Sequence, residues 1–321
     1  MKNSDLSVRW GLVGAGDVCE KKSGPPLYQL PGHSLVALTR RNPEKGTDFA
    51  RRHVGTYVPT LEALLEIPEI NAVYIATPHP VHAAQTLQAA KAGKHVLVEK
   101  PMASCTAECR EMVDTCNACG VRLGVAYYRR AYPSILAAKQ WLVDNRIGRL
   151  LDISLNEQFP TSHRLDLVHF FAGDFDTVRT ETQSPNLLNL HGITRTGAAV
   201  TMQLGWHERP QTPEQLHLVG EDGEIRITDL KGGSATLTHH GKSETFPFAP
   251  LPWTHWGLIE NFGKALTDDI PLACEGEEAL KSTAILDLLS ALEPNGNPTP
   301  VDYTNPPPPN PERARAYNML G

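Results

Sequence analysis

The segment VRWGLVGAGDVC, residues 8–19, decides the predicted fold. Its first half is a short apolar strand, and its second half spaces two glycines and a cysteine like the three glycines of a dinucleotide-binding fingerprint. In that fingerprint the first glycine permits a tight turn, and the second lets the backbone approach a pyrophosphate at the start of the following helix. We therefore expect Gly14, Gly16, Asp17 and Val18 to contact a dinucleotide. A glycine turn that serves only the fold is the alternative, but the strand–helix units downstream favour the dinucleotide.

Two arginines follow the second predicted strand, residues 34–39. A protein that prefers NAD carries an acidic residue there, which accepts a hydrogen bond from the ribose 2′-hydroxyl. This sequence has Arg40 and Arg41 instead, with no acidic residue between positions 39 and 42. Because a guanidinium presents a planar fork of donors to phosphate oxygens, both arginines favour the 2′-phosphate of NADP over NAD. Arginines on an ordinary solvated loop are the alternative.

The third clear strand, residues 71–76, runs into TPHPVH, residues 77–82. Its two prolines argue against an immediate helix and predict an extended loop at the carboxyl edge of the sheet. Ligands of open α/β sheets bind at that edge. Thr77, Pro78 and His82 are therefore expected to border the nicotinamide, and a structural role is the alternative for His82. His79 and His82 could also be metal ligands, but no acidic or cysteine side chain lies nearby in the sequence to complete a metal site.

The run HVLVEKPM, residues 95–102, places a charged pair at the end of a further strand. A near-continuous apolar segment is typical of a buried strand in a parallel sheet. Glu99 and Lys100 follow it directly, and Pro101 stops it. Lys100 is therefore predicted at the mouth of the sheet, pointing into the ligand crevice. A salt-bridged lysine at a strand end is the alternative.

The pattern of elements changes near the middle of the chain. Residues 1–126 alternate strand and helix, which predicts an α/β Rossmann domain with a doubly wound parallel sheet. Residues 127–321 contain a run of short strands separated by turns, which predicts a second domain built on an antiparallel sheet. The proline-rich stretch 305–311 favours polyproline II and predicts an extended C-terminal arm.

The composition is that of an ordinary globular protein large enough for two domains. The chain has 321 residues, of which 40% are hydrophobic and 21% are charged. Its net charge of -6 gives no electrostatic reason to expect a nucleic-acid or membrane partner. No apolar run approaches the roughly 20 residues that span a bilayer. A cytoplasmic protein is expected.

Four of the six cysteines fall on one predicted helix: Cys105, Cys109, Cys116 and Cys119. They share one stripe of that helix, but the first and last would lie roughly 21 Å apart at the helical rise per residue. One tetrahedral zinc ion with bonds of about 2.3 Å cannot gather all four. Small apolar residues on a buried helix face are the preferred interpretation, and no metal site is predicted.

These motifs resemble one family, the glucose–fructose oxidoreductase, inositol dehydrogenase and MocA (Gfo/Idh/MocA) family of NAD(P)-dependent oxidoreductases. The matching segments are Gly14-Ala15-Gly16, Thr77-Pro78 with His82, Glu99-Lys100-Pro101, Trp141 to Gly148, Ser162 to Leu167, Cys274 to Gly276 and Ala279 to Leu288. The resemblance covers essentially the whole chain. It implies a C-terminal α/β domain with a large open, mainly antiparallel sheet through which the family commonly associates. A homodimer or homotetramer is therefore expected, with an exposed sheet face that is a large apolar patch.

The resemblance also implies a reaction: hydride transfer between the nicotinamide and a sugar-like or cyclitol substrate, either the polyol or its carbonyl form. A hydride leaves an alcohol carbon only if the hydroxyl proton is removed as well, so a base must lie within reach. By the match with the family, His163 takes that proton and Lys100 holds and polarises the same oxygen. Glu99 would fix Lys100 or contact the nicotinamide ribose.

One position departs from the family pattern. An aspartate usually stands four residues before the histidine, after a glycine-rich approach, whereas this sequence has Phe159 there and lacks the approach. Without that carboxylate, His163 loses a group that would orient it and raise its basicity. A residue at a helix start without a chemical role is therefore the alternative for His163. An NAD(P)-binding sensor or regulatory protein is the alternative function. Related folds also serve reductases of aromatic diols or a tetrapyrrole, which no feature of this sequence favours.

Overall fold

The computed structural model describes residues 7–155, 161–184, 187–205 and 215–316. The strands are β1 Val8–Val13, β2 His33–Thr39, β3 Thr56–Val58, β4 Ala72–Ile75, β5 His95–Val98, β6 Leu123–Val125, β7 Leu150–Leu155, β8 Phe175–Ser184, β9 Leu187–Thr194, β10 Ala199–Gly205, β11 Leu216–Gly220, β12 Gly223–Ile227, β13 Ser234–His239, β14 Lys242–Pro247 and β15 Thr299–Pro300. The α-helices are α1 Pro26–Gln29, α2 Pro43–Arg52, α3 Leu61–Leu65, α4 His82–Lys91, α5 Thr106–Ala118, α6 Pro133–Val143, α7 Thr161–Ala172, α8 Trp256–Thr267, α9 Gly276–Ala291 and α10 Pro311–Ala316. A π-helical turn lies at Cys19–Ser23, and 3₁₀ turns lie at His79–Val81 and Tyr128–Ala131. Within the described ranges, no helix combines the length and the apolar character needed to cross a bilayer.

The chain forms two compact units. The first runs to Tyr128 and also takes in Pro252–Leu280, and the second contains the remainder. The domain boundary that the sequence predicts, at residue 126, would leave Pro252–Leu280 outside the first unit. They belong to it because Phe262 packs on Trp10, with 5.2 Å between ring centroids, and because the Cys274 carbonyl accepts the N–H of Val125 at 3.1 Å.

Among the described residues of the first unit, six strands form a parallel sheet in the order β3-β2-β1-β4-β5-β6. This is the strand order of a Rossmann fold, and it confirms the predicted class. The middle strands are covered on both faces, as the apolar runs predict, and Val96, Leu97 and Val98 are fully buried. The strand order reverses between β1 and β4, so the ligand crevice is expected at their carboxyl ends.

Two predictions of local backbone structure in this unit are wrong. The fingerprint turn leads into the π-helical turn and then α1 instead of one helix, because Pro25 and Pro26 lack the N–H groups that would continue the hydrogen-bond ladder. Residues 79–81 form a 3₁₀ turn that leads straight into α4, where an extended loop is predicted. Proline is tolerated there because the first N–H groups of a helix have no acceptor within it.

The cysteines of the α5 region differ in their surroundings. Cys109 and Cys116 lie in the core of the first unit beside Met112, as predicted for small apolar residues. Cys119 is exposed, and the prediction is wrong for it because it follows the last turn of α5, where the buried stripe ends.

Among the described residues of the second unit, nine strands form a mixed sheet in the order β14-β13-β12-β11-β7-β10-β9-β8-β15. β10 pairs with β7 in parallel and the neighbouring pairs are antiparallel, which confirms the predicted sheet. One face is buried and apolar, with side chains such as Ile153, Leu218 and Ile225. The described part of the other face is partly or fully exposed and mostly polar: Ser154, Arg179, Asn189, His191, Thr201, His217, Arg226 and Thr236. Ile193, which is 44% exposed, and Val219 are apolar residues among them. The described residues of this face therefore do not form the large apolar patch that is expected, because the strands alternate apolar and polar residues.

The proline-rich tail packs on the second unit and is not a free arm. The N–H of Asn310 donates to the hydroxyl of Ser290 on α9 at 2.9 Å. The Arg313 guanidinium pairs with Glu293 at 3.0 Å and also donates to the Leu292 carbonyl. Asn310 then caps α10, because its side chain accepts the N–H groups of Glu312 and Arg313.

Candidate active site

The parallel sheet brings most of the predicted site residues of the first unit to one edge. Gly14 follows β1, Arg40 follows β2, Thr77 follows β4 and Glu99 follows β5. Backbone hydrogen bonds hold this edge in register: the N–H of Gly14 donates to Thr39 at 2.9 Å, and that of Glu99 donates to Ile75 at 2.8 Å. The predicted residues therefore share the edge at which such sheets bind ligands.

The two fingerprint positions favour glycine for different structural reasons. Gly14 has φ +88°, and a Cβ there would lie 2.7 Å from the methyl of Thr77 and 2.8 Å from the Ala76 carbonyl oxygen, so the fold itself requires a glycine. A Cβ at Gly16 would meet nothing in the described part of the chain closer than the Gly14 carbonyl oxygen at 3.8 Å. The open backbone at Gly16 fits a pyrophosphate that approaches closely, which is the role of the second fingerprint glycine.

The rest of the fingerprint is compatible with this turn. Cys19, in the place of the third glycine, is fully buried, and its burial raises the pKa of the thiol to about 12, so it acts as a small neutral packing residue. Asp17 lies on the surface and pairs with Lys21 at 3.0 Å. Val18 has helical φ and ψ angles at the start of the π-helical turn.

The two arginines after β2 occupy different positions. Arg40 folds back on the fingerprint, and its Nη1 donates to the Ala15 carbonyl at 2.6 Å. Arg41 is exposed. Arg40 thus places a guanidinium against the glycine turn, next to a strand end that carries no acidic residue. A guanidinium in this place suits a phosphate oxygen better than a ribose hydroxyl.

His82 connects the loops that follow β4 and β5. Its ring is 1% exposed, with Nδ1 3.0 Å from the Pro101 carbonyl oxygen and Nε2 2.8 Å from that of Thr77. The ring therefore faces backbone carbonyls and holds the two loops together. The Thr77 hydroxyl donates to Gln85 at 2.6 Å, and Pro78 is exposed at the start of the 3₁₀ turn.

Glu99 lies in a buried cluster that the sequence does not predict. Its Oε1 accepts hydrogen bonds from the Tyr74 hydroxyl at 2.6 Å and from His255 Nε2 at 2.9 Å. Its Oε2 accepts the backbone N–H of Lys100 at 3.1 Å. Tyr74 offers a weak sequence signal, since a hydroxyl in a buried strand must find a partner. His255 offers none, because it lies 156 residues from Glu99 in the chain.

The cluster keeps Glu99 ionised although it is buried. Burial acts to raise the pKa of Glu99, but the hydrogen bond and charge of His255, the Tyr74 hydroxyl and the Lys100 charge together lower it to about 2. The same carboxylate adds to burial in raising the pKa of Tyr74 well above its usual value. Tyr74 therefore remains a neutral hydrogen-bond donor. Glu99 remains a fixed negative charge next to Lys100, which is half-buried.

The second unit holds His163 in the first turn of α7, where it is fully buried. Asp166 follows on the same helix and forms a buried ion pair with Arg130, at 2.8 Å from Nη2 and 3.0 Å from Nε. The Asp166 carboxylate is thus engaged by a cation. Phe159, the position of the expected aspartate, lies outside the described residues.

The residues that the structure describes include no group of three or more His, Cys, Asp or Glu side chains placed to hold a metal ion.

Comparison with known proteins gives the family. Residues 8–127 match the family model described as an oxidoreductase family with an NAD-binding Rossmann fold. The chain is 41% identical over 314 residues to "Oxidoreductase P35" of Formosa agariphila. This alignment covers 88% of this chain and 98% of that protein. It is 34% identical over 315 residues to the trans-1,2-dihydrobenzene-1,2-diol dehydrogenase of Bos taurus, which covers 89% of this chain and 93% of that protein.

A solved structure agrees on the fold. The WlbA dehydrogenase from Bordetella pertussis, in complex with NADH and UDP-GlcNAcA, matches with a TM-score of 0.77 at 22% identity, over 93% of this chain and 99% of that chain. The long sequence matches agree with the family resemblance that the glycine fingerprint and the Glu-Lys-Pro sequence after β5 indicate. The chain belongs to the Gfo/Idh/MocA family of oxidoreductases, which carry an NAD-binding Rossmann fold.

Proposed function

We propose that this protein is an NADP-dependent oxidoreductase that transfers a hydride between the nicotinamide and a small polyhydroxylated substrate or its carbonyl form. The observation that carries the cofactor choice is the hydrogen bond from Arg40 to the Ala15 carbonyl, at 2.6 Å. It holds a guanidinium against the fingerprint turn, where a 2′-phosphate would be recognised by charge and by donor geometry. Gly14, Gly16, Asp17, Val18, Thr77 and Pro78 complete the proposed cofactor site, and His82 supports it by holding its loops.

Lys100 and His163 are the proposed proton-handling pair. The Lys100 ammonium, whose charge interacts with that of Glu99, can donate a hydrogen bond to the substrate oxygen and polarise it. His163 is the proposed base for the hydroxyl proton. When bound, the nicotinamide supplies or accepts the hydride.

The proposed substrate class is a small molecule with neighbouring hydroxyl groups, such as a sugar, a cyclitol or a cyclic diol. The Bos taurus relative is named for a trans-1,2-diol, which supports vicinal hydroxyls and makes an aromatic diol a specific candidate. We further propose a homodimer or homotetramer that forms through the polar face of the nine-stranded sheet.

Titration of the purified protein with NADPH and NADH, followed by nucleotide fluorescence, tests the cofactor proposal. We expect NADPH to bind about tenfold more tightly or better, since a hydrogen bond to a charged group contributes roughly 1.5–3 kcal/mol. R40A should remove this preference with little effect on NADH. R41A is the matched control and should have the smaller effect, because Arg41 is exposed. Equal affinity of the wild-type protein for both nucleotides would overturn the proposal.

A non-catalytic NADP-binding sensor is the second candidate, and Phe159 in the place of the family's aspartate favours it. A screen of sugars, cyclitols and aromatic trans-diols at the nicotinamide absorbance band separates the two. Turnover that K100A abolishes, with NADPH binding retained, supports the enzyme. Tight NADPH binding without turnover across the screen supports the sensor.

A further inference from the structure

The Glu99 carboxylate is enclosed by groups from three separate parts of the first unit. Tyr74 comes from β4, His255 precedes α8, and the N–H of Lys100 follows β5. Glu99 is 7% exposed, His255 is 1% exposed and Tyr74 is fully buried. A buried carboxylate with hydrogen-bond donors on both oxygens is held in one orientation.

The His255 ring is fixed by its surroundings. Its backbone N–H donates to Lys22 at 3.3 Å, and its carbonyl accepts the N–H of Ile259 at 3.0 Å. Its ring packs against Tyr128 with 4.4 Å between centroids. Among the described residues, Nδ1 has no hydrogen-bond partner, so the ring proton that the geometry uses is the one on Nε2, directed at Glu99.

We propose that His255 is a positioning residue of the active site, which together with Tyr74 locks Glu99 as an ionised carboxylate and so fixes the backbone and the charge of Lys100. This rests on the proposed function, in which Lys100 contacts the substrate. His255 acts through Glu99 and needs no contact with substrate or cofactor.

Two links carry the effect from His255 to Lys100. The first is geometric, because Glu99 Oε2 accepts the backbone N–H of the residue from which the Lys100 side chain extends. The second is electrostatic, because an ionised Glu99 supplies the counter-charge of the Lys100 ammonium. Protonation of Glu99 would weaken both links.

The groups that face Glu99 explain why His255 matters most. They are Tyr74, His255, Lys100 and the buried Cys19, whose pKa the Glu99 charge helps to raise. Burial favours the protonated acid, and the His255 hydrogen bond is the largest effect that opposes it. If His255 is replaced by an apolar residue, the pKa of Glu99 is therefore expected to move up, toward the range in which the enzyme works.

The test compares H255L with H255Q, whose amide can still donate a hydrogen bond to Glu99. The matched control is H33L, because His33 is a half-buried histidine of the same unit that accepts a hydrogen bond from Trp10 at 3.0 Å and does not touch Glu99. The first measurement is the ¹³C NMR titration of the Glu99 carboxyl, assigned with E99Q. It needs neither cofactor nor turnover.

We expect the pKa of Glu99 to rise by about 1–3 units in H255L, as expected when a buried carboxylate loses its charged or hydrogen-bonding partner. H255Q should recover part of that shift, and H33L should show none. In kinetics, the acidic limb of the kcat/KM profile, which the proposed His163 base already sets, should become steeper in H255L than in H33L, because Glu99 then also takes up a proton within that limb, with NADPH affinity unchanged. Y74F, which removes one hydroxyl, should give a smaller shift in the same direction and serves if H255L does not fold.

An unchanged Glu99 titration in H255L and Y74F would overturn the proposal, and so would an H255L pH profile identical to that of H33L. Failure of the proposed function looks different. In that case NADPH binding or turnover is absent in the wild-type protein, while the NMR titration still reports whether His255 controls Glu99.

Discussion

Arg130 and Asp166 form a buried ion pair within the second unit, with Arg130 Nη2 2.8 Å and Nε 3.0 Å from Asp166 Oδ1. Their side chains are 2% and 0% exposed. The Arg130 guanidinium also lies over the Phe170 ring, 5.1 Å from its centroid. Because Asp166 lies on α7, the pair fixes the helix that carries His163.

We expect D166N to destabilise the second unit strongly. It removes the negative charge that the buried Arg130 guanidinium contacts at 2.8 Å, and breaking a buried ion pair in this way costs about 3–5 kcal/mol. The double variant R130M/D166L removes both charges and should lose less than the sum of the two single changes. Urea unfolding with a double-mutant cycle measures both effects.

The control for this prediction is the exposed pair Arg149–Glu221, at 2.7 Å with side chains 56% and 47% exposed. R149A should cost less than about 1 kcal/mol, because exposed pairs contribute little. If D166N costs no more than R149A, the buried pair does not anchor α7.

Acid should destabilise the second unit before its carboxylates titrate, because of His169. Its burial between Phe175 and Tyr303 lowers its pKa from 6.5 to about 3, although Asp174 acts in the opposite direction. The unfolded chain therefore binds a proton below pH 6.5 that the folded state does not bind. Stability is fully present above that pH and is lost as the pH falls toward 3.

One such histidine lowers the free energy of unfolding by about 2 kcal/mol between roughly pH 7.5 and 5. Urea unfolding at the two pH values measures the loss in the wild-type protein. H169F keeps an aromatic ring in the same surroundings and should remove this part of the pH dependence. His33, whose pKa burial lowers to about 4, contributes in the same direction in the first unit and should still do so in H169F. An equal pH dependence in the wild type and H169F would contradict the assignment.

Elements with a local signal could be predicted from the sequence. The apolar run 8–13 is β1, and the alternating run 187–194 is β9, because burial on two faces or on one face dictates the composition of a strand. The edge strands β3 and β15 were not predictable in this way, since Thr56–Val58 and Thr299–Pro300 are too short to show a pattern. They form because a neighbouring strand offers free backbone groups.

The candidate site divides in the same manner. The positions of Lys100 and Gly14 can be predicted from the sequence, because one follows the end of a strand and the other lies in a turn. The role of His255 cannot be predicted from the sequence, because its contact with Glu99 depends on the packing of the distant segment that contains α8 into the first unit. The sequence assigns Gly14 to a tight turn and Gly16 to the approach of a pyrophosphate, and the described residues of the structure give only Gly14 a steric reason to be glycine.

This difference between the two glycines separates a fold requirement from a ligand requirement. G14A places a Cβ 2.7 Å from the Thr77 methyl at φ +88°, and it should destabilise the first unit by about 1–3 kcal/mol. G16A meets no described atom closer than 3.8 Å, so its free energy of unfolding should change by less than about 0.5 kcal/mol.

If a pyrophosphate lies against the backbone at Gly16, the added methyl group of G16A occupies its place. NADPH affinity should then fall about tenfold or more, because a tenfold change in affinity corresponds to about 1.4 kcal/mol of binding free energy. Thermal unfolding and NADPH titration of both variants check this, with G32A as the control. Gly32 also has open space around it and lies in the turn before β2, so G32A should affect stability through its φ of +75° and leave NADPH affinity unchanged. A G16A protein that binds NADPH as the wild type does would place the dinucleotide elsewhere, because an open glycine that tolerates a methyl group is not where a ligand meets the backbone.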